Sequence, residues 1–374
     1  MVLAILFGQA VYRRGVSLRV ATLIGVVLLA GCIWLGILFP LELPRTVWIV
    51  ILLGYALIAA SLPVWFLLQP RDYLESLLLY GMLAAAFIGI LVTNPPVELP
   101  AFTAFEVPIG YLFPILFVTV ACGAISGFHS LVSSGTTSKQ LSSEAHAKPI
   151  GYGGMLIEGV LATFALIAVA VLTLSDRAAL IAAVGPVGAF AQGVGGFLTG
   201  LGIPRDVGIA FVTLVVASFA LTTLDTATRL CRFFFQELTE KEEGKPSTIV
   251  KIVTNLWVAG AIGVAFAAVL ALTGWWPLLW PIFGSANQLL ASLALLAGAI
   301  WLARLGKSNW FLFYPMIFML VTALSALVFL FFRSLAAGHT LLVIISAVLF
   351  VLAIVLVYLA ISRLVTERKK VPGK

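Results

Sequence analysis

The chain has 374 residues, with 22 Lys or Arg against 15 Asp or Glu and a formal charge of +7. Only 10% of residues are charged and 62% are hydrophobic, with a mean hydropathy of +1.16, where soluble domains carry about 25% charged residues. So few polar groups cannot cover a water-exposed surface, which excludes a soluble enzyme, a disordered chain and a nucleic-acid partner; near-continuous rather than alternating apolar runs exclude a membrane barrel.

Apolar runs fall at roughly 2–12, 18–39, 47–69, 74–93, 110–130, 152–174, 179–202, 207–228, 252–273, 281–303, 311–332 and 340–361. As helices, all but the first are long enough to cross about 30 Å of hydrocarbon. The expected fold is an all-α polytopic transmembrane helical bundle whose partners include membrane lipids. Cys32, Cys122 and Cys231 lie in apolar runs without paired spacing and read as small buried residues, not as a disulfide framework or a metal site.

Basic residues set the orientation. Arg13, Arg14, Arg19, Arg71, Lys139 and Lys148 mark one side when the runs alternate. Three runs separate the 131–150 loop from the basic 229–251 loop with Arg229, Arg232, Lys241, Lys245 and Lys251. If all three span, the second half inverts. If one does not, 18 of the 22 Lys and Arg lie in the cytoplasm, leaving Arg45, Arg177, Arg205 and Arg333 outside. The run that fits is 179–202, with Pro186, Gln192 and the Gly195-Gly196 pair. It is expected to be re-entrant, since such backbone is tolerated at membrane depth where protein covers it; ordinary packing glycines are the alternative. About ten full spans plus a partial one result, with a cytoplasmic tail.

Polar residues interrupt the pattern in five places. In Ser61–Tyr73, two prolines bracket Trp65 and Gln69, and Arg71 and Asp72 follow; this is a gating corner or a rigid turn. In Ala121–Gln140, Gly123 and Gly127 lead into a hydroxyl-rich run with Ser130 and Ser134. Glycines let a helix unwind, and unwound backbone offers free N–H and C=O groups to a substrate or ion. His129 beside the break carries a proton or simply links helices. Glu158 lies about two turns inside the next span. An ionised carboxylate there costs around 3 kcal/mol on insertion scales, so it needs a partner, water or a proton. In Leu221–Arg229, Asp225 and Arg229 share one helix face, beside Thr222 and Thr223. A carboxylate with hydroxyls suits Na⁺ or a proton relay, or anchors a helix end. Asn287 and Gln288 sit in a span with Gly284 and Ser285, where amides bond between helices or meet substrate. No phosphate-binding loop, zinc spacing or nucleophile elbow occurs, so neither an enzyme nor a cofactor is expected.

The stretches LPVWFLLQPRDYL, CGAISGFHSLVSSGTTSKQL, KPIGYGGMLIEGVLA, TTLDTATRL and WPIFGSANQLLA together resemble the carbon starvation protein A family of bacteria and archaea, over essentially all of residues 1–305. The resemblance implies a cytoplasmic-membrane transporter for peptides or small carboxylates such as pyruvate, coupled to H⁺ or Na⁺. It also implies an inverted-repeat fold of the amino acid–polyamine–organocation (LeuT-like) type. In that frame one transmembrane domain covers 1–374. It comprises 1–93 as part of a first repeat, 110–305 as a second repeat containing the re-entrant 179–202, further spans over 311–361, and a tail at 362–374. Gly123, Gly127, His129, Ser130, Ser134, Asn287 and Gln288 would meet substrate. His129, Glu158, Thr222, Thr223 and Asp225 would carry the coupling ion, and Gln69, Arg71, Asp72 and Arg229 would gate. Family members carry a further N-terminal region of several spans, so a second chain supplying those helices, or a sensor or subunit role, is the alternative expectation.

Overall fold

The computed structural model describes residues 1–107, 109–123, 125–239 and 248–370. Lys241, Lys245 and Lys374 of the expected basic loop and tail lie outside the described residues. Helices account for nearly all regular structure: α1 (Val2–Gly8, continued by a π turn Gln9–Arg13), α2 (Leu18–Leu38), α3 (Arg45–Ser61) and α4 (Leu68–Thr93). Two-residue strands β1 (Glu106–Val107) and β2 (Gly110–Tyr111) then pair antiparallel, Glu106 opposite Tyr111 and Val107 opposite Gly110. Short α5 (Phe117–Val120) and α6 (Gly127–Gly135) follow. The rest is α7 (Ala147–Ala170), α8 (Leu174–Leu198), α9 (Arg205–Thr239), α10 (Thr248–Val253), α11 (Leu256–Thr273), α12 (Trp276–Arg304), α13 (Trp310–Ala336) and α14 (Thr340–Lys370).

Among the described residues nine helices are long and apolar enough to cross a membrane, fewer than the ten or so full spans expected. The nine include Leu174–Leu201, the segment expected to be re-entrant, and two of the expected full spans are missing from them. α3 has only 17 residues because Pro44 and Pro63 flank it. The 110–130 run is not one helix: the β-hairpin occupies its start, and α5 and α6 are separated between Gly123 and Gly127.

Contacts divide the chain into two compact units that interleave in sequence and so differ from the expected sequence blocks. Unit 1 holds 1–101 and 154–273; unit 2 holds 102–153 and 274–374. The unit 1 core joins Met82, Leu83 and Ala86 of α4, Phe164 and Ala168 of α7, Val194, Phe197 and Leu198 of α8, and Val212 and Val215 of α9. In unit 2, Ile115 and Val118 pack against Ile282 of α12 and Ala326 and Leu330 of α13.

α8 is two helices in series. Gly185 has φ 73° and ψ 175°, a combination open essentially to glycine, and Pro186 holds its predecessor out of the helical region. Residues 174–184 are mostly exposed and 189–198 mostly buried. Both ends of the segment lie at one end of unit 1. The Glu98 N–H donates to Ala170 O at 2.9 Å just before α8, while Gly200, just after it, packs on Val92 and Thr93 at the end of α4. Gly193 lies against the Ala168 backbone and Gly195 against Ile209 near the start of α9. The helices thus begin at 174 rather than at the expected 179, and their C-terminal glycines serve close packing. Gly185→Ala should cost about 1–2 kcal/mol from the positive φ alone, read as a lower melting temperature in detergent.

Candidate functional site

Unit 1 contains a buried charged cluster where α4 crosses α9. α4 starts with Leu68-Gln69-Pro70; in the first helical turn a proline loses no hydrogen bond. Arg71 and Glu75, four residues apart, then share a face, as Thr222, Asp225 and Arg229 do on α9. Packing of Met82, Leu83 and Ala86 against Val212 and Val215 fixes the antiparallel register that brings Arg71 to Asp225.

The Arg71 guanidinium is 4% exposed and Asp225 is fully buried. One Arg71 Nη donates to both Asp225 Oδ2 and the Tyr55 hydroxyl, and Tyr55 donates to the same Asp225 oxygen at 2.9 Å. The other Nη donates to Asp72 Oδ1 at 3.2 Å. Arg71 Nε lies 3.5 Å from Glu75 Oε1, and Thr222 Oγ1 donates to Glu75 Oε2 at 2.5 Å. Asp225 Oδ1 and Arg71 Nε are buried without a hydrogen-bond partner. One guanidinium therefore faces three carboxylates. Glu75 also lines a cavity of about 430 Å³ between α1, α2, α4 and α9, whose walls are Leu29, Ile33, Leu74 and Leu214 and whose polar members include Arg71 and Ser218.

One turn further along α9, Arg229 donates to the carbonyls of Ala59 at 2.9 Å and Leu62 at 2.6 Å, and Arg232 to Ala60 at 3.0 Å. They satisfy the carbonyls left open at the C-terminus of α3 and complement its dipole.

The structure thus gathers Arg71, Asp72, Thr222 and Asp225 into one network, places Arg229 beside it as a helix cap, and leaves Gln69 half-buried at the start of α4. It does not gather two of the coupling candidates. Thr223 turns its hydroxyl to Phe219 O on its own helix. Glu158 is exposed on α7 and, among the described residues, forms no ion pair. Glu75 and Tyr55 are absent from the sequence expectation, and Arg232 enters it only as an orienting charge; the four-residue spacing from Arg71 is the signal that points to Glu75.

In unit 2 the break between α5 and α6 is fastened to α12. Asn287 Oδ1 accepts the Phe128 N–H at 2.8 Å, and its Nδ2 donates to Cys122 Sγ at 3.5 Å. Ser126 caps α6 by accepting the His129 N–H at 3.1 Å. Gly127 has no room for a side chain: a Cβ would strike the backbone of Asn287 and Ala291. Gln288 donates to Phe117 O, leaving its buried Oε1 without a partner. Ser130 and Ser134 donate to carbonyls of their own helix, Gly123 ends the turn before the break, and the His129 ring is exposed against Phe128. The amides hold the broken helix in place; the hydroxyls of Ser130 and Ser134 are spent locally.

A model of the family described as carbon starvation protein CstA matches residues 1–180 and 174–326. The peptide transporter CstA of Campylobacter jejuni is 33% identical, covering 85% of this chain and 53% of its own length. The peptide transporter CstA of Escherichia coli is 34% identical over 74% of this chain and 48% of its own. The pyruvate/proton symporter BtsT of Escherichia coli is 32% identical over 82% and 55% respectively. The chain therefore spans about half the length of these relatives. No solved structure matches it.

Proposed function

The chain belongs to the carbon starvation protein CstA family, and from that premise we propose that it is the membrane-embedded part of a secondary transporter for peptides or small carboxylates, pyruvate among them, driven by a proton or sodium gradient. The observation that carries the proposal is the buried cluster in which Arg71 faces Asp72, Glu75 and Asp225. Buried charge with imperfect pairing is costly and clusters at functional sites, and here it lies on a cavity. Substrate binds near the α5–α6 break, where Gln288 of α12 keeps a buried amide oxygen without a partner. His129 stands beside that break, and Glu158 on α7 serves the ion path.

Further parts of the reading rest on the same features. The broken helices support the inverted-repeat arrangement that the resemblance implies. A re-entrant α8 is supported by its two ends meeting at one end of unit 1, and it keeps the basic loops and the C-terminal tail on the cytoplasmic face of a bacterial or archaeal inner membrane. A second reading is favoured by the half-length match: a subunit or sensor that works with another chain carrying further spans.

Uptake of radiolabelled pyruvate and of a dipeptide into proteoliposomes tests both. An inward proton or sodium gradient should raise initial uptake, and collapsing both gradients should abolish accumulation. Full uptake with both gradients collapsed overturns the coupling. No uptake, together with stoichiometric co-purification of a second membrane chain, transfers the proposal to the complex.

A further inference from the structure

The three carboxylates around Arg71 are not equivalent. The Asp72 side chain is 45% exposed, so water solvates its charge. Asp225 is fully buried, does not line the cavity, and is held by the direct bonds from Arg71 and Tyr55. Glu75 alone combines burial, a place on the cavity wall and a loose cation contact of 3.5 Å, with a neutral hydroxyl as its close partner. The groups facing it are Arg71 and Asp72 of α4, Thr222 and Asp225 of α9, and Tyr55 of α3. On the cavity side α2 presents Cys32, and α1 presents Leu3, Ala4 and Met1, which bears the α-amino group of the chain.

Two further observations show that the network has an unfilled valence. Asp225 Oδ1 and Arg71 Nε are both buried and lack hydrogen-bond partners. Arg71 is shared among Asp72, Glu75 and Asp225, and the buried Arg229 guanidinium one turn along from Asp225 bonds to the carbonyls of Ala59 and Leu62, so Glu75 has no close cation of its own. A buried unmatched carboxylate is far costlier than its neutral acid. Among the described residues no three His, Cys, Asp or Glu side chains are grouped to hold a metal ion, which favours a proton as the neutralising charge.

We propose that Glu75 is the proton-carrying side chain of this cluster, loaded from the cavity, with Asp225 as the fixed counter-ion of Arg71. Protonated Glu75 leaves Arg71 to Asp225. Loss of the proton lets the Nε edge of Arg71 close on Glu75, loosening its hold on α9. The inference rests on the transporter reading for its purpose, but its chemistry is testable without transport.

The test is labelling of the purified full chain in lipid nanodiscs with dicyclohexylcarbodiimide, an apolar reagent that takes only protonated carboxyl groups. The acid O–H adds across one C=N bond, the oxygen joining the carbon and the proton going to nitrogen; the adduct is located by peptide mass spectrometry. The adduct is expected at Glu75, falling about tenfold per pH unit once the group ionises, and absent in Glu75→Gln. Labelling at Asp225 in place of Glu75, no labelling of Glu75 at any pH, or labelling at Glu75 that ignores pH overturns the proposal. So does protection by Na⁺ at constant pH, which would assign the site to a metal cation. Because labelling needs neither substrate nor gradient, failed uptake with pH-dependent Glu75 labelling counts against the transporter reading alone.

Discussion

Asp225→Ala lowers the melting temperature of the detergent-solubilised protein more than any other single substitution in unit 1. The reason is what the mutation leaves behind. Arg71 is 4% exposed, and Asp225 is its direct partner, with Tyr55 bonded to both. Removing one member of a buried pair costs about 3–5 kcal/mol, because the remaining charge is uncompensated. Replacing both by apolar residues of similar size removes the desolvation penalty as well, so Arg71→Met with Asp225→Leu should recover most of the loss. Melts of the two single variants and the double variant, followed by size-exclusion fluorescence, check this. A double variant no better than the worse single one would show that the pair does not act as a unit.

Gly127→Val should disrupt unit 2 to a similar degree by a different cause. Gly127 is the first residue of α6 and lies against the backbone of Asn287 and Ala291 and the side chain of Leu290. Backbone atoms cannot turn aside as a flexible side-chain end can, so α6 must lift from α12. Forced overpacking costs about 1–3 kcal/mol, and lifting α6 also breaks the Asn287 cap on Phe128. The expected outcome is a lower melting temperature and faster proteolysis in the 121–140 segment. The same substitution at Gly153, which has open space around it, should leave both unchanged.

Much of the architecture was legible because membrane helices announce themselves by composition: α2, α4, α9 and α11 to α14 all lie on apolar runs. The separation of α5 from α6 falls where Gly123, Gly127 and the serines stand. What was hidden depends on long-range register. Arg71 and Asp225 are each conspicuous as charges in apolar sequence, yet 154 positions separate them, and no local spacing says that they meet. Glu75 is signalled only by its four-residue spacing from Arg71, since its role comes from facing Thr222 across an interhelical contact. Glu158, a carboxylate two turns into a span, stands on an exposed face of α7 outside the Arg71 cluster, which its position in the sequence does not reveal. The 110–130 run reads as one span because hydropathy does not see that β2 claims its first residues.

α3 has one more consequence. Its 17 residues rise only about 26 Å, less than the usual hydrocarbon thickness, and Arg229 and Arg232 bring two guanidiniums to its terminal carbonyls. A bilayer meeting a short helix thins locally. In the transporter proposed above, the membrane potential would then drop over a shorter distance beside α3, and part of the electrical work of about 2.3 kcal/mol per charge per 100 mV would fall next to the Arg71 cluster.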